Sequence, residues 1–390
     1  MPPAPTPTSP GVEPGPSYVT GSLTDHTPVL IMHLAAIRDN YTALQQTFGG
    51  VDLYYAVKAN GHAEVLRTLA ALGACFDVAG AAEARACLDA GVSPAAVAWT
   101  NPIKKRTDIA AGYQMGVRLF VSDNANDIER IALHAPGSAV LVRITVPGHG
   151  AAAPFGDKFG CPPDQAVHLL RHARRHGLVC LGVSWHVGSQ QSEPGAWETG
   201  IASAAQIFAE AARYGIDLST VDLGGGLPVS YTAPVPSLEQ YADAIDRGLA
   251  RHFGAQRPRA ILEPGRAVVA TAGTIIATVV QVATRRGRRW VYLDIGRYGG
   301  LAETEGEAIT YPITAARHDP GTGPVVLAGP TADGDDVIYQ QHQPWLPLSL
   351  VEGDRVVIGC AGAYTASYSS VSFCGLSPLS VVTIDQAGDR

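Results

Sequence analysis

The chain has few cysteines, and no two of them are spaced as Cys-x-x-Cys. The six, at 75, 87, 161, 180, 360 and 374, are scattered. Neither a zinc site nor a disulfide framework is indicated, and a reducing, cytoplasmic setting is expected. Charged residues are also sparse, at 16%, with a net charge of −7. No extended run of Lys or Arg occurs, which argues against a nucleic-acid partner. The one short basic cluster, Arg285-Arg286-Gly287-Arg288-Arg289, reads as a solvated hairpin turn. No apolar stretch is long and uninterrupted enough to span a membrane. The N-terminus lacks a charged segment leading into an apolar core, so no secretory signal is expected.

What is present is a chain of 390 residues, 46% hydrophobic, larger than one ordinary domain. Residues 1–25 are rich in Pro, Gly, Ser and Thr and are expected to form a disordered tail. A short apolar run over 29–34 fits a buried strand, and helical spacing follows to 48. From 51 onward, strand-like segments alternate with amphipathic helical ones. The strands fall at 53–58, 75–79, 96–99, 118–121, 139–144, 182–186, 220–223 and 260–263. Helices are expected between them, for example at 81–90, 105–115, 125–135, 163–176, 196–214 and 238–253. Ala90-Gly91 and His176-Gly177 place a glycine where a helix closes in a left-handed cap. Eight such units fit a (β/α)8 barrel, with a doubly wound open sheet as the alternative. After 266 strands separated by turns dominate, as in a β domain. The expected division is a tail over 1–25, a first strand of the β domain over 26–35, the barrel over 36–266 and a C-terminal β domain over 267–390.

The stretch Tyr54-Tyr55-Ala56-Val57-Lys58-Ala59-Asn60 stands out. A lysine ending an apolar strand is costly unless neutral, paired or used chemically. Other polar residues sit at comparable strand ends: Asp77, with Glu83 beyond it; Arg143; His186 and Ser189; Gly224-Gly225-Gly226; Glu263 and Arg266. In a barrel these ends converge on one face, where catalytic groups belong. Lys58 fits a Schiff-base lysine for pyridoxal phosphate. The triple glycine, expected at a helix start, and Arg266 together fit a phosphate site. Glu263 could hold a pyridine nitrogen protonated, and His186 could stack on the ring.

The stretches YAVKAN, FDVAGAAE, VSWHVGSQ, VDLGGGLP, EPGR, DIGRYGGLAE, AGPTADGDD and GAYTASYSS span Tyr54 to Ser370. Jointly they resemble the fold-type III pyridoxal-phosphate decarboxylases of ornithine, lysine, diaminopimelate and arginine, and are most similar to the bacterial ornithine/lysine branch. The resemblance implies an alanine racemase-like barrel with a C-terminal β domain. The implied activity is decarboxylation of a basic L-amino acid through a Lys58 Schiff base and a delocalised carbanion. It also implies roles. Lys58, His186, Glu263 and Asp333 are catalytic. Ser189, Gly225, Gly226, Arg266 and Tyr364 hold the cofactor phosphate, Gly265 is a further cofactor-binding position, and Asp77, Glu83 and Arg143 support the Lys58 side. Asp333 reaches across a head-to-tail homodimer to the distal amine of the substrate. Glu303, Phe373 and Cys374 are further candidates on the substrate side.

Two positions depart from that pattern. Ala332 stands where the family has a cysteine that controls protonation of the carbanion, and a methyl group donates no proton. Either Lys58 or water protonates Cα, or the chemistry changes toward decarboxylating transamination, deamination or epimerisation. Cys374 stands where the family often has asparagine. Asp335 and Asp336 read as turn residues, and 147–156 reads as a mobile lid. A non-catalytic homologue that binds a partner is the third reading; the joint presence of Lys58, His186, Glu263, Arg266 and Tyr364 speaks against it.

Overall fold

The computed structural model describes residues 26–317 and 321–385; the tail expected over 1–25 lies outside them. Two compact units are present. One comprises Arg38–Pro228 and Val235–Gly265, and the other comprises the described residues of 26–37, 229–234 and 266–385.

The first unit is a closed barrel of eight parallel strands. In chain order these are β2 (Val51–Ala56), β3 (Cys75–Val78), β4 (Val97–Trp99), β5 (Leu119–Ser122), β6 (Ala139–Arg143), β8 (Val179–Ser184), β10 (Thr220–Asp222) and β11 (Arg259–Leu262). β11 pairs back onto β2 and closes the ring. This settles the choice between barrel and open sheet. The strands are short and apolar because helices cover their outer faces. Helix α1 (Leu34–Thr47) precedes β2, and the covering helices are α2 (Ala63–Ala71), α3 (Ala81–Asp89), α4 (Arg106–Gln114), α5 (Ala125–His134), α6 (Pro163–Arg175), α7 (Glu198–Arg213) and α8 (Leu238–Phe253). In α6, Ala166, Val167, Leu169, Leu170 and Ala173 are buried. That spacing of three and four residues lays one stripe against the sheet and leaves the basic residues outward. Two small strands not expected from the sequence, β7 (Ala151–Ala153) and β9 (Ser189–Gln191), pair antiparallel beyond the barrel. The segment read as a lid is therefore tied by strand pairing over part of its length.

The barrel also holds a buried ion pair. Lys104, in the loop after β4, donates to Asp127 near the start of α5 over 2.8 Å, and both side chains are wholly buried. Lys104 Nζ also donates to the carbonyls of Asn101, Pro102 and Val121. Burial pulls the Lys104 pKa down, and Asp127 opposes that pull. The same loop carries Thr100, whose hydroxyl donates to Asp77. Breaking one side of a buried pair costs about 3–5 kcal/mol, or roughly 5–15 °C of apparent Tm in a domain of this size. Lys104→Met is expected to lower the Tm by that much, while Arg257→Ala, which removes an exposed pair with Asp246, leaves it nearly unchanged. Equal shifts for the two variants would refute the assignment.

The second unit is a β structure. β1 (Val29–His33) pairs antiparallel with β12 (Gly273–Arg285) and parallel with β20 (Ser380–Ile384). β13 (Arg288–Leu293), β14 (Ile313–Ala315), β16 (Val326–Ala328), β17 (Val337–Tyr339) and β19 (Arg355–Ile358) complete the sheet. The strands β14 and β17, like β15 (Thr322–Pro324) and β18 (Trp345–Pro347), are three residues long and were not legible in the sequence. The basic cluster is a hairpin turn joining β12 to β13. Arg286 and Gly287 both have positive φ there, as a two-residue type I′ connection requires.

Candidate active site

Lys58 does not end a strand, as its sequence suggested. β2 stops at Ala56, and Val57–Ala59 forms one 3-10 turn. The backbone of the turn is fixed from both sides: Ala56 N donates to Pro264 O over 3.1 Å, and the Tyr55 hydroxyl donates to Asn60 O over 2.8 Å. Lys58 Nζ lies 3.5 Å from Asp77 Oδ2, with the lysine partly exposed and Asp77 buried. Glu83, in the first turn of α3, accepts from Ala79 N over 2.6 Å. Burial raises its pKa. Glu83 thus fixes the loop that follows Asp77.

His186 follows β8. Its Nδ1 accepts from Gly188 N over 2.9 Å, which places any ring proton on Nε2. The ring edge keeps some surface exposure, but protein encloses it, and burial pulls its pKa well down, aided by Arg143 and Lys58. His186 is a neutral imidazole. Phe155 packs on it at 4.4 Å between centroids. Arg143, at the end of β6, has its guanidinium 4.9 Å from the Phe159 ring. Burial lowers its pKa, opposed by Glu263, Asp222, Asp123 and Asp77.

Glu263 follows β11 and is buried. Burial raises its pKa far above the usual carboxylate range, and Asp222 and Asp77 add to the rise. Asp222, at the end of β10, is raised by burial too, and it shares a hydrogen bond with Glu263. Three acids therefore face two cations, Lys58 and Arg143. Glu263 Oε1 is buried with no hydrogen-bond partner. A buried orphan oxygen among acids that burial and one another push toward protonation would be matched by a cationic donor. A protonated pyridine nitrogen is such a donor. Neutral His186 offers a flat apolar face, and Lys58 an amine, so these residues fit pyridoxal phosphate.

The triple glycine does not open a helix, because α8 begins only at Leu238. Its glycines are needed instead for close backbone approach. A Cβ on Gly225 would stand 2.6 Å from Glu263 O, and one on Gly226 2.5 Å from Gly188 O. Ser189 opens β9, and Gly265 is buried next to Glu263-Pro264.

The second unit carries the remaining candidates. Arg266 is buried and forms a two-pronged pair with Glu303, Nη1 to Oε2 at 2.8 Å and Nη2 to Oε1 at 2.6 Å. Its Nη1 also donates to the Tyr231 hydroxyl over 2.7 Å, and its guanidinium lies 4.9 Å from the Tyr364 ring. Glu303 is thus a partner of Arg266. Tyr231 and Tyr298 were missed in the sequence, where nothing distinguishes them from core tyrosines. Tyr298 donates to Asp333 Oδ2 over 3.2 Å and packs on Phe373 at 4.5 Å. Asp333, Tyr298 and Phe373 are therefore one cluster, and Cys374, next to Phe373, is exposed. Asp336 is no turn residue. It is buried and accepts from Arg297 N, Thr331 N and Thr331 Oγ1, which fixes the loop bearing Ala332 and Asp333.

Residues 34–270, more than half the chain, match the family described as the pyridoxal binding domain of pyridoxal-dependent decarboxylases. The chain belongs to that family. It is 34% identical to the lysine/ornithine decarboxylase of Selenomonas ruminantium over 353 residues, covering 90% of this chain and 87% of that one. The structure of lysine/ornithine decarboxylase from Vibrio vulnificus, complexed with cadaverine, superposes with a TM-score of 0.87 at 32% identity. That match covers 95% of this chain and 98% of the other. The arginine decarboxylase of Paramecium bursaria Chlorella virus gives 0.87 at 28% identity, covering 95% and 100%. The fold is that of the fold-type III decarboxylases, the cofactor is pyridoxal phosphate, and the chain is a carboxy-lyase. No helix among the described residues is long and apolar enough to cross a membrane.

Proposed function

We propose that this decarboxylase removes the carboxylate of a basic L-amino acid, and that its site is completed by a second copy of the chain. The observation that carries the reading is the orphaned, buried Glu263 oxygen among acids that outnumber their cations. When bound, pyridoxal phosphate supplies an electron-accepting ring for the electrons released as carbon dioxide leaves. Lys58 Nζ is the group that would hold the cofactor covalently. Asp77 orients the lysine and keeps it near the reacting carbon. Glu263 would keep the ring nitrogen protonated, with Asp222 hydrogen-bonded beside it. Neutral His186 would cover one ring face without competing for the proton, and Arg143 would balance the buried acids. Ser189, Gly225, Gly226, Gly265, Arg266 and Tyr364 are proposed for the phosphate, with Glu303 and Tyr231 orienting Arg266.

Asp333 would bind the distal cation of the substrate. Tyr298 holds the carboxylate from one side and the Asp335 N–H from the other, at 3.2 and 2.9 Å. Phe373 lies against Tyr298, with Cys374 beside it. The relatives named for lysine, ornithine and arginine support a basic substrate. We place Asp333 in the partner's site, as the family resemblance implies. Six cysteines without disulfide partners support a reducing cytoplasmic compartment.

Asp333→Ala is expected to raise KM for a diamino acid by roughly ten- to a hundredfold, the worth of one buried charge-assisted contact. Mixing inactive Lys58→Ala with Asp333→Ala subunits, assayed at substrate far below the raised KM where neither variant alone turns over appreciably, restores roughly a quarter of wild-type activity if the site is shared across a two-fold dimer. A KM that stays at the wild-type value refutes the distal-cation role. Zero recovery with proven subunit exchange refutes the shared site.

Ala332 favours a second reading of the last step. Its methyl cannot return a proton, so either Cα receives one from Lys58 or water, or the proton goes to the cofactor carbon instead. Mass spectrometry of the products decides between them. Amine with intact cofactor supports simple decarboxylation. Aldehyde with accumulating pyridoxamine phosphate means the proton goes to the cofactor carbon.

A further inference from the structure

Two histidines and a glutamate that the reaction does not use meet on the outside of the barrel. His168, His172 and His176 follow one another along α6 and its cap. Residues four apart share a helix face, so an imidazole appears once per turn. His172 Nε2 lies 3.1 Å from Glu129 Oε1 on α5. The His172 and His176 rings are 4.5 Å apart between centroids. One donor atom from each of Glu129, His172 and His176 lies within 4.8 Å of the other two. Among the described residues this is the one such group.

Imidazole nitrogen and carboxylate oxygen are donors that suit zinc, nickel and copper ions. Bonds of about 2.0–2.2 Å to a tetrahedral ion put ligand atoms roughly 3.3–3.5 Å apart. The Glu129–His172 edge, at 3.1 Å, needs to open by only a few tenths of an ångström. The edges to His176 need to close only modestly, and both His176 and Glu129 are exposed enough to turn. His172, whose side chain is 15% exposed, is the fixed member.

The charges nearby act in both directions. Arg175 Nη2 lies 3.5 Å from His172 Nδ1. A metal on Nε2 leaves the ring proton on Nδ1, so the exposed Arg175 must swing aside. The Glu129 carboxylate and the negative end of α6, which His176 caps, favour a cation. An ion here would clip α5 to α6 and stabilise the folded barrel by mass action.

We propose that Glu129, His172 and His176 form a binding site for a divalent transition-metal ion, with zinc as the ion to test. The site bridges two outer helices and is separate from the decarboxylation chemistry. Tag-free, chelator-treated holoenzyme would be titrated with zinc sulfate by calorimetry, with Tm followed in parallel. One saturable site per chain of micromolar affinity is expected, with a rise in Tm at excess zinc. His172→Ala and His176→Ala should each weaken binding by at least about tenfold. His168→Ala and the zinc-free turnover should be unchanged. The proposal is overturned if wild-type protein shows no saturable uptake. It is equally overturned if the double variant H172A/H176A binds zinc as tightly as wild type, or if His168→Ala is the change that abolishes binding.

Discussion

Lys58→Ala stops turnover, with an expected loss on the order of 10⁴-fold or more, because the amine has no substitute in the site. The nearest cation in the same acid cluster is Arg143, whose guanidinium stays protonated and cannot serve as a nucleophile. The variant should still fold, since the Lys58 side chain is partly exposed and its contact with Asp77 is long, at 3.5 Å. Losing it leaves Asp77 with Thr100 as a donor. Borohydride reduction of wild-type holoenzyme, followed by peptide mapping, should find the cofactor on the tryptic peptide containing Lys58. The reduced adduct should be missing from the variant. A label on any other lysine would sink the assignment, and so would a variant that retains near wild-type turnover.

Glu263→Gln should lower kcat by roughly 10²–10³-fold, the scale seen when one preorganised electrostatic partner is lost. Cofactor affinity, read by absorbance titration, should change far less, because the phosphate contacts are untouched. The amide keeps the shape of the side chain but cannot carry the charge that holds a ring nitrogen protonated. A stability effect of opposite sign accompanies the loss. Burial raises the pKa of both Glu263 and Asp222. The folded cofactor-free pair therefore binds protons more tightly than the unfolded chain. Its contribution to stability is present at low pH. It declines as pH rises from the unfolded carboxylate value, about 4, through the raised folded values. The glutamine removes one member of that pair, so cofactor-free E263Q should lose less stability than wild type between acid and neutral pH. The same buried acid would then cost stability and serve catalysis. Turnover equal to wild type would contradict the role of Glu263. A steeper pH dependence in the variant would contradict the shared-proton account of the pair.

Much of the barrel can be read from the order of residues. Apolar runs of four to six residues alternating with amphipathic segments name eight strands, and short strands covered by helices have one common solution. The chemistry-bearing side chains follow from the same count, since Asp77, Arg143, His186 and Glu263 lie at or just beyond strand ends. The β unit was less legible. Five of its strands, β14 to β18, are three residues long. Periodicity over three residues carries almost no signal, and their pairing depends on distant segments. The sequence assigns β1 to this unit but not its partners β12 and β20, which lie more than two hundred residues away.

The polar contacts of the site depended on packing. Nothing in the local sequence says that Glu303 faces Arg266, that Asp336 lies beneath Gly296 and Gly329, or that Tyr298 holds Asp333. The family resemblance puts Glu303 among the substrate-side candidates, and Asp336 looks like any acid in a turn. The sequence places the triple glycine at a helix start, whereas neighbouring backbones crowd it and no helix follows directly. Residue order carries periodicity, turn chemistry and the inventory of reactive groups, because each acts over a few residues. Which acid meets which base, and which proton is shared, is set by side chains far apart in the chain. Their energies depend on burial and on the exact distance between charges.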